Sequence, residues 1–147
     1  LESTKWVIQS HIAAMFLPTF FTPFLTKILG VRKLITLGLI LFCLASFVGF
    51  SDSSTIGFWI HLVLLGLGWN FLFFSATTIL PQTYAPEHKF KAQTINDTVV
   101  LSFQAFAALS AGLALNYFGW KSMIVLCVIP IFLMIVVLFW ERGLKQS

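Results

Sequence analysis

The sequence predicts an all-α, polytopic membrane protein, and three observations carry that prediction. The first is composition. Of 147 residues, 59% are hydrophobic and 10% charged, where soluble domains carry about 25% charge; mean hydropathy is +0.95. A chain of this length buries an ordinary core but not this much apolar surface, so the bilayer is its natural solvent. The second is that the apolar residues fall into five runs, each near the ~20 residues a helix needs to cross ~30 Å of hydrocarbon. The third is that these runs do not alternate, which excludes the short alternating strands of a β-barrel. Helices remain, because they satisfy every backbone group within lipid.

The elements follow in order. The first run, roughly 6–26, is "WVIQSHIAAMFLPTFFTPFLT". It is expected as one helix, with Pro18 and Pro23 as either hinges or tolerated kinks. "KILGVRK" (27–33) turns the chain into the second run, roughly 34–50, which contains almost nothing polar beyond Ser, Thr and Cys. "SDSST" (51–55) leads to the third, roughly 56–80, where Gly66 and Gly68 precede Trp69 and Asn70 and let the backbone come near a partner or ligand. After "PQTYAPEHKFKA" (81–92) comes the fourth, roughly 93–115, with Asn96, Asp97 and Gln104. Its pairs Ala107/Ala111, Ala108/Gly112 and Ser110/Ala114 have the spacing that admits a close helix neighbour. "NYFGW" (116–120) is read as a turn into the fifth run, roughly 121–140, which contains Pro130. These connectors leave no room for a soluble domain, so residues 1–147 are read as one transmembrane unit.

Five crossings alternate sides. One side holds Lys27, Arg32, Lys33, Lys89, Lys91, Arg142 and Lys145; the other holds Lys5 and Lys121. The positive-inside rule makes the first side cytoplasmic, with the N-terminus outside. Trp6, Trp59, Trp120 and Trp140 lie near run ends, as an interfacial aromatic belt places them. The chain opens Leu1-Glu2-Ser3-Thr4, without a methionine or a signal-peptide pattern, and is expected to be part of a longer protein.

Polar side chains are costly in a membrane, so their positions carry information. They concentrate in the first, third and fourth runs, which are read as facing protein or water; the second and fifth are read as facing lipid. Asn70 lies about 21 Å into its run and Gln104 about 16 Å, both near the midplane. Substrate hydrogen bonding and interhelical bonding are both open for these amides. Trp69, beside Asn70, is either a packing residue or one that stacks on substrate. His11 and His61 share a depth near the outer end, as a pH-sensitive gate or as lone interface histidines. His61 and Asn70 stand nine residues apart, about 180° around a helix, so they cannot both face one cavity. Asp97, near the inner end, is a coupling or gating carboxylate, or an acid solvated by an aqueous cavity.

These residues resemble a known family. The chain is similar to the C-terminal part of a major facilitator superfamily transporter, helices eight to twelve of twelve. In that family the eighth, tenth and eleventh helices line the central cavity and the ninth and twelfth support them, which parallels the polar split. The stretch Pro23-Phe24-Leu25-Thr26-Lys27-Ile28-Leu29-Gly30-Val31-Arg32-Lys33 resembles the cytoplasmic loop G-x-x-x-D-R-x-G-x-R-[KR] at Gly30, Arg32 and Lys33. It departs from the loop at Pro23, Lys27 and Ile28. The resemblance implies a secondary transporter that moves a small solute by alternating access, with the missing N-terminal half of the same chain as partner. A non-transporting membrane scaffold or assembly subunit is the alternative.

An integral membrane enzyme also stays open, but only with its catalytic group in the missing N-terminal part; the motifs of other classes are absent from these residues. No basic stripe interleaved with aromatics marks a nucleic-acid surface. No Walker loop, HExxH, GxSxG or catalytic carboxylate pair marks an enzyme. Cys43 and Cys127 lie within apolar runs without metal spacing. No cofactor or metal is expected. The expected surroundings are the lipid bilayer of a bacterial inner or plasma membrane, and the expected ligand is an unidentified small molecule, with proton coupling through Asp97 as the sharper reading.

Overall fold

The computed structural model describes residues 2–144, with side chains for 4–140. Lys145 lies outside the described residues, and the side chain of Arg142 outside the described side chains. The described residues form α1 (Glu2–Phe16), α2 (Thr22–Leu29), α3 (Val31–Ser51), α4 (Thr55–Ile79) and α5 (Lys89–Leu144), with short 3₁₀ turns at Leu17–Phe20, Leu80–Gln82 and Pro86–His88. The fold is all-α, as expected. Three stretches are long and apolar enough to cross a membrane: Val31–Ser51, Thr55–Gln82 and Pro86–Trp140. The pair Thr4–Phe20 and Thr22–Leu29, bent by 57°, passes the same test together.

The first run is not the continuous helix expected. Proline at 18 and at 23 removes a backbone donor each time, and the chain answers with a 3₁₀ turn between α1 and α2. Two hydroxyls also bond carbonyls one turn back: Thr22 donates to that of Pro18, which the Phe21 amide reaches too, and Thr26 to that of Thr22, both at 2.8 Å. The turn expected at 116–120 is present as a break at one residue: Gly119 leaves helical geometry there, at φ 73° and ψ 170°. Glycine tolerates that φ because it has no Cβ. The 56 residues of α5 are thus two helices joined at a kink, too many for one crossing. Gly119 divides it into arms 89–118 and 120–144, each about 40 Å. Gly30, at φ 81°, makes the corresponding break between α2 and α3.

Contacts set the directions. His11 meets the Leu62 carbonyl and Met15 meets Asn70, so α1 and α4 run parallel. His61 meets the Ala45 carbonyl, while a side chain on Gly38 would strike Leu72 and the Gly68 carbonyl, so α3 and α4 run antiparallel. Arm 120–144 runs antiparallel to α3: the Trp120 indole N–H donates to the Gly49 carbonyl, and Leu133 and Val137 share a cavity with Val31 and Ile35. One end of the bundle therefore collects Thr4, Ser53–Thr55, Trp120 and Lys121; the other collects Val31, Arg32, Ile79 and Gln82.

Polarity did not forecast burial. The second run, read as lipid-facing, is α3, and it buries Leu34, Gly38, Leu39, Ala45 and Gly49. Small residues bring two backbones together without any polar signal. Arm 89–118, read as a cavity wall, is exposed along most of its length. Phe90, Phe103 and Leu109 are 84%, 72% and 83% exposed, which is sustainable only against lipid or another part of a larger protein.

Candidate functional site

The site is built where the first span breaks. Asn70, on α4, is 3% exposed. Its Nδ2 donates to the Met15 carbonyl and to Thr19 Oγ1, both at 2.7 Å, and its Oδ1 accepts from the Thr22 hydroxyl at 2.9 Å. In a continuous helix the Met15 carbonyl would take the amide of Thr19. Where the register changes to 3₁₀, the Asn70 amide supplies a donor instead, as neighbouring helices do for broken spans in lipid. The fully buried Thr22 stands between the Pro18 carbonyl and Asn70 Oδ1, and its single hydroxyl hydrogen is shared between them. The break is thus tied to α4 from end to end.

Beside this knot lies a cavity of about 300 Å³, lined by Met15, Phe16, Thr19, Trp69, Asn70, Phe73, Phe74 and Thr77. The α4 members Asn70, Phe73, Phe74 and Thr77 recur at i, i+3, i+4 and i+7, one helix face turned to α1. Trp69 stacks on Phe73 with ring centroids 4.6 Å apart and planes 9° apart, and Phe16 approaches Trp69 edge-on at 6.4 Å. The Thr77 hydroxyl donates to the Phe74 carbonyl at 2.9 Å, which leaves its oxygen lone pairs to accept.

The remaining candidates lie elsewhere. His61 is on the opposite side of α4 from Asn70, as their spacing required. A carbonyl partner fixes the proton on its Nδ1, which donates to Ala45 at 2.7 Å. Its ring packs against Trp120, nearly perpendicular at 5.4 Å, and against Phe58 at 6.4 Å. His11 donates from Nδ1 to the Leu62 carbonyl at 2.6 Å, on the α1 side of α4. The two histidines each bind a backbone carbonyl of a neighbouring helix, on different sides of α4, and are not brought together as a pair. Gln104 is exposed on arm 89–118 and does not join Asn70. Asp97 is exposed on the same arm and accepts from Asn96 Nδ2 at 3.1 Å. Sequence reasoning did not single out Phe16, Thr19, Thr22, Phe73 or Thr77. The signal was available in the threonines flanking two prolines and in the α4 stripe.

Comparison with known proteins bears on this geometry. The family model of the Major Facilitator Superfamily matches residues 3–146. The chain is 36% identical over 115 residues to the riboflavin transporter RfnT of Brucella anthropi, which covers 78% of this chain and 29% of that protein. It is 34% identical over 146 residues to the uncharacterized MFS-type transporter YdeG of Bacillus subtilis, covering 97% of this chain and 34% of that protein. The chain thus spans about a third of the length of the curated relatives it matches. No solved structure matches it.

Proposed function

The chain belongs to the Major Facilitator Superfamily, and we propose that it is the C-terminal section of a secondary transporter that carries a small solute by alternating access. The observation that carries this reading is the broken span: a helix bent by 57° at membrane depth, tied to α4 by a buried amide, beside a solute-sized cavity. Discontinuous helices near the midplane are where transporters of this kind form their sites. The exposed apolar arm 89–118 is the surface that the N-terminal half covers, so the five-crossing chain does not transport alone.

The orientation we propose puts the start of α1 outside and the end of α5 in the cytoplasm of a bacterial inner or plasma membrane. Its support is the gathering of Arg32 and Lys33 at the end where Gln82 leads on to Lys89 and Lys91, opposite Lys121. Asp97 lies toward that basic end and is the proposed proton-coupling group. The relative that transports riboflavin makes riboflavin the first solute to test. The experiment is uptake of labelled riboflavin into proteoliposomes holding the full-length protein, with and without a proton gradient. Saturable uptake that rises with the gradient and loses that dependence in Asp97→Asn supports the reading. Absence of saturable flux for riboflavin and a panel of small organic solutes sinks it.

A further inference from the structure

The cavity between α1 and α4 has a chemistry more specific than its size. Its walls are aromatic, and the stacked pair Trp69 and Phe73 gives one of them a flat surface. Its polar groups are few and separated. At one end Thr19 accepts the Asn70 amide proton, so its oxygen is held in place and its own hydroxyl hydrogen is left to donate. At the other end Thr77 spends its hydrogen on the Phe74 carbonyl and presents an acceptor. From Asn70 to Thr77 along α4 is about 10 Å, the length of a fused-ring system with its exocyclic groups. A volume of about 300 Å³ lies at the small end of ligand sites. No charged side chain lines it.

We propose that this cavity binds a flat, uncharged heteroaromatic ring system, which lies along the Trp69–Phe73 stack, accepts a hydrogen bond from Thr19 and donates one to Thr77. Aromatic walls favour a π-system over an aliphatic chain by offset stacking. The exposed Thr19 and half-buried Thr77 favour a ring that has an acceptor and a donor on its edges over a pure hydrocarbon, because a ligand that covers them without pairing them gives up their hydrogen bonds to water. Asn70 is a positioning residue in this scheme: its amide is spent on the break in the first span, and it acts on the ligand by orienting Thr19. This assignment rests on the transporter reading above and adds to it the class of solute and the residues that recognise it.

The test uses the full-length transporter purified in detergent, titrated with riboflavin and with lumichrome, its ring system without the sugar-alcohol chain, each followed by quenching of its own fluorescence. Both are expected to bind. Trp69→Ala weakens both by about tenfold, and Trp69→Phe restores most of that loss. Thr19→Val weakens both by about fivefold while Thr19→Ser does not. Thermal unfolding of each variant checks that the fold is kept, and octanoate as competitor checks that the site prefers a ring to a chain. Failure of both probes to bind, displacement by octanoate at equal concentration, or equal affinity in wild type, Trp69→Ala and Thr19→Val overturns the proposal. Proteoliposome flux separates this from the parent reading. Binding without saturable flux defeats transport and leaves the site standing; flux unchanged in Trp69→Ala and Thr19→Val defeats the site and leaves transport standing.

Discussion

Replacing Asn70 with alanine removes three hydrogen bonds at once: those to the Met15 carbonyl and Thr19, and the one received from Thr22. Interhelical side-chain bonds in membranes average about 0.6 kcal/mol each, so the set contributes about 2 kcal/mol. The Met15 carbonyl then loses its donor at a break in the helix, which adds about 1 kcal/mol. The other ties between α1 and α4 survive, since His11 still meets Leu62 and Trp59 still donates to Ser10. The variant should therefore fold, but with the folding equilibrium lowered roughly a hundredfold. Alanine also leaves a void, so Asn70→Leu is the needed companion: it keeps the branched shape, leaves no void and removes the bonds. Reversible unfolding of the full-length protein in mixed micelles measures both. The expectation is that Asn70→Leu falls nearly as far as Asn70→Ala. If Asn70→Leu is as stable as wild type, the amide fills space and does not hold the break, and the reasoning fails.

Four further outcomes are expected. Gly68→Ala puts a Cβ 2.5 Å from the Phe42 ring and 3.0 Å from the Gly38 carbonyl, so α3 and α4 must part at a cost of about 1–3 kcal/mol; unchanged unfolding would remove the close approach as a stabilising feature. Ser54 caps α4 by accepting from the Gly57 amide at 3.0 Å, and Ser54→Ala should cost about 1 kcal/mol in the same assay. In the same turn, the Ser54 amide and hydroxyl hold the Asp52 carboxyl below the ordinary value of 3.8. A depressed folded pKa adds stability above the ordinary value that is lost as pH falls through the folded one, so an NMR titration of Asp52 should have its midpoint below 3.8 and move up in Ser54→Ala. Trp120→Phe keeps a ring against His61 but deletes the 2.8 Å bond to the Gly49 carbonyl; a loss of about 1 kcal/mol is expected, with hydrogen exchange rising first around 116–124.

Much of the fold was legible because lipid imposes few solutions. Run length and the absence of alternation led to helices, and the helices are there. The opposed faces of His61 and Asn70 followed from spacing alone, and Gly66 and Gly68 do bring α4 against its neighbours, one toward α1 and the other toward α3. Two things were not legible. Whether Pro18 and Pro23 kink a helix or break it depends on what waits across the interface, and here it is Asn70, some fifty residues along the chain. Nor does polarity reveal packing: α3 is almost wholly apolar yet buries one face, because Gly38, Ala45 and Gly49 admit a second backbone. Gln104 and Asp97 had a cavity among their readings by polarity, and the arm that carries them leaves both exposed.

The break and the cavity share residues, and that has a mechanical consequence. Thr19 belongs to the 3₁₀ turn, lines the cavity and accepts from Asn70. Phe16 is the last residue of α1 and stands edge-on to Trp69. A ligand lying against Phe16 and Thr19 therefore touches the point where α1 and α2 change direction, and its affinity must depend on the bend angle. By linkage, the bend must respond to the ligand to the same degree. A uniform helix gives no such coupling, since changing its angle at mid-membrane would leave carbonyls unpaired in lipid. Pro18 and Pro23 already lack the amides that would reach the Ala14 and Thr19 carbonyls, and Asn70 supplies a side-chain donor to the neighbouring Met15 carbonyl. In the proposed transporter Asn70 would thus do in lipid what water does for a soluble hinge, supplying a partner to the backbone at the break.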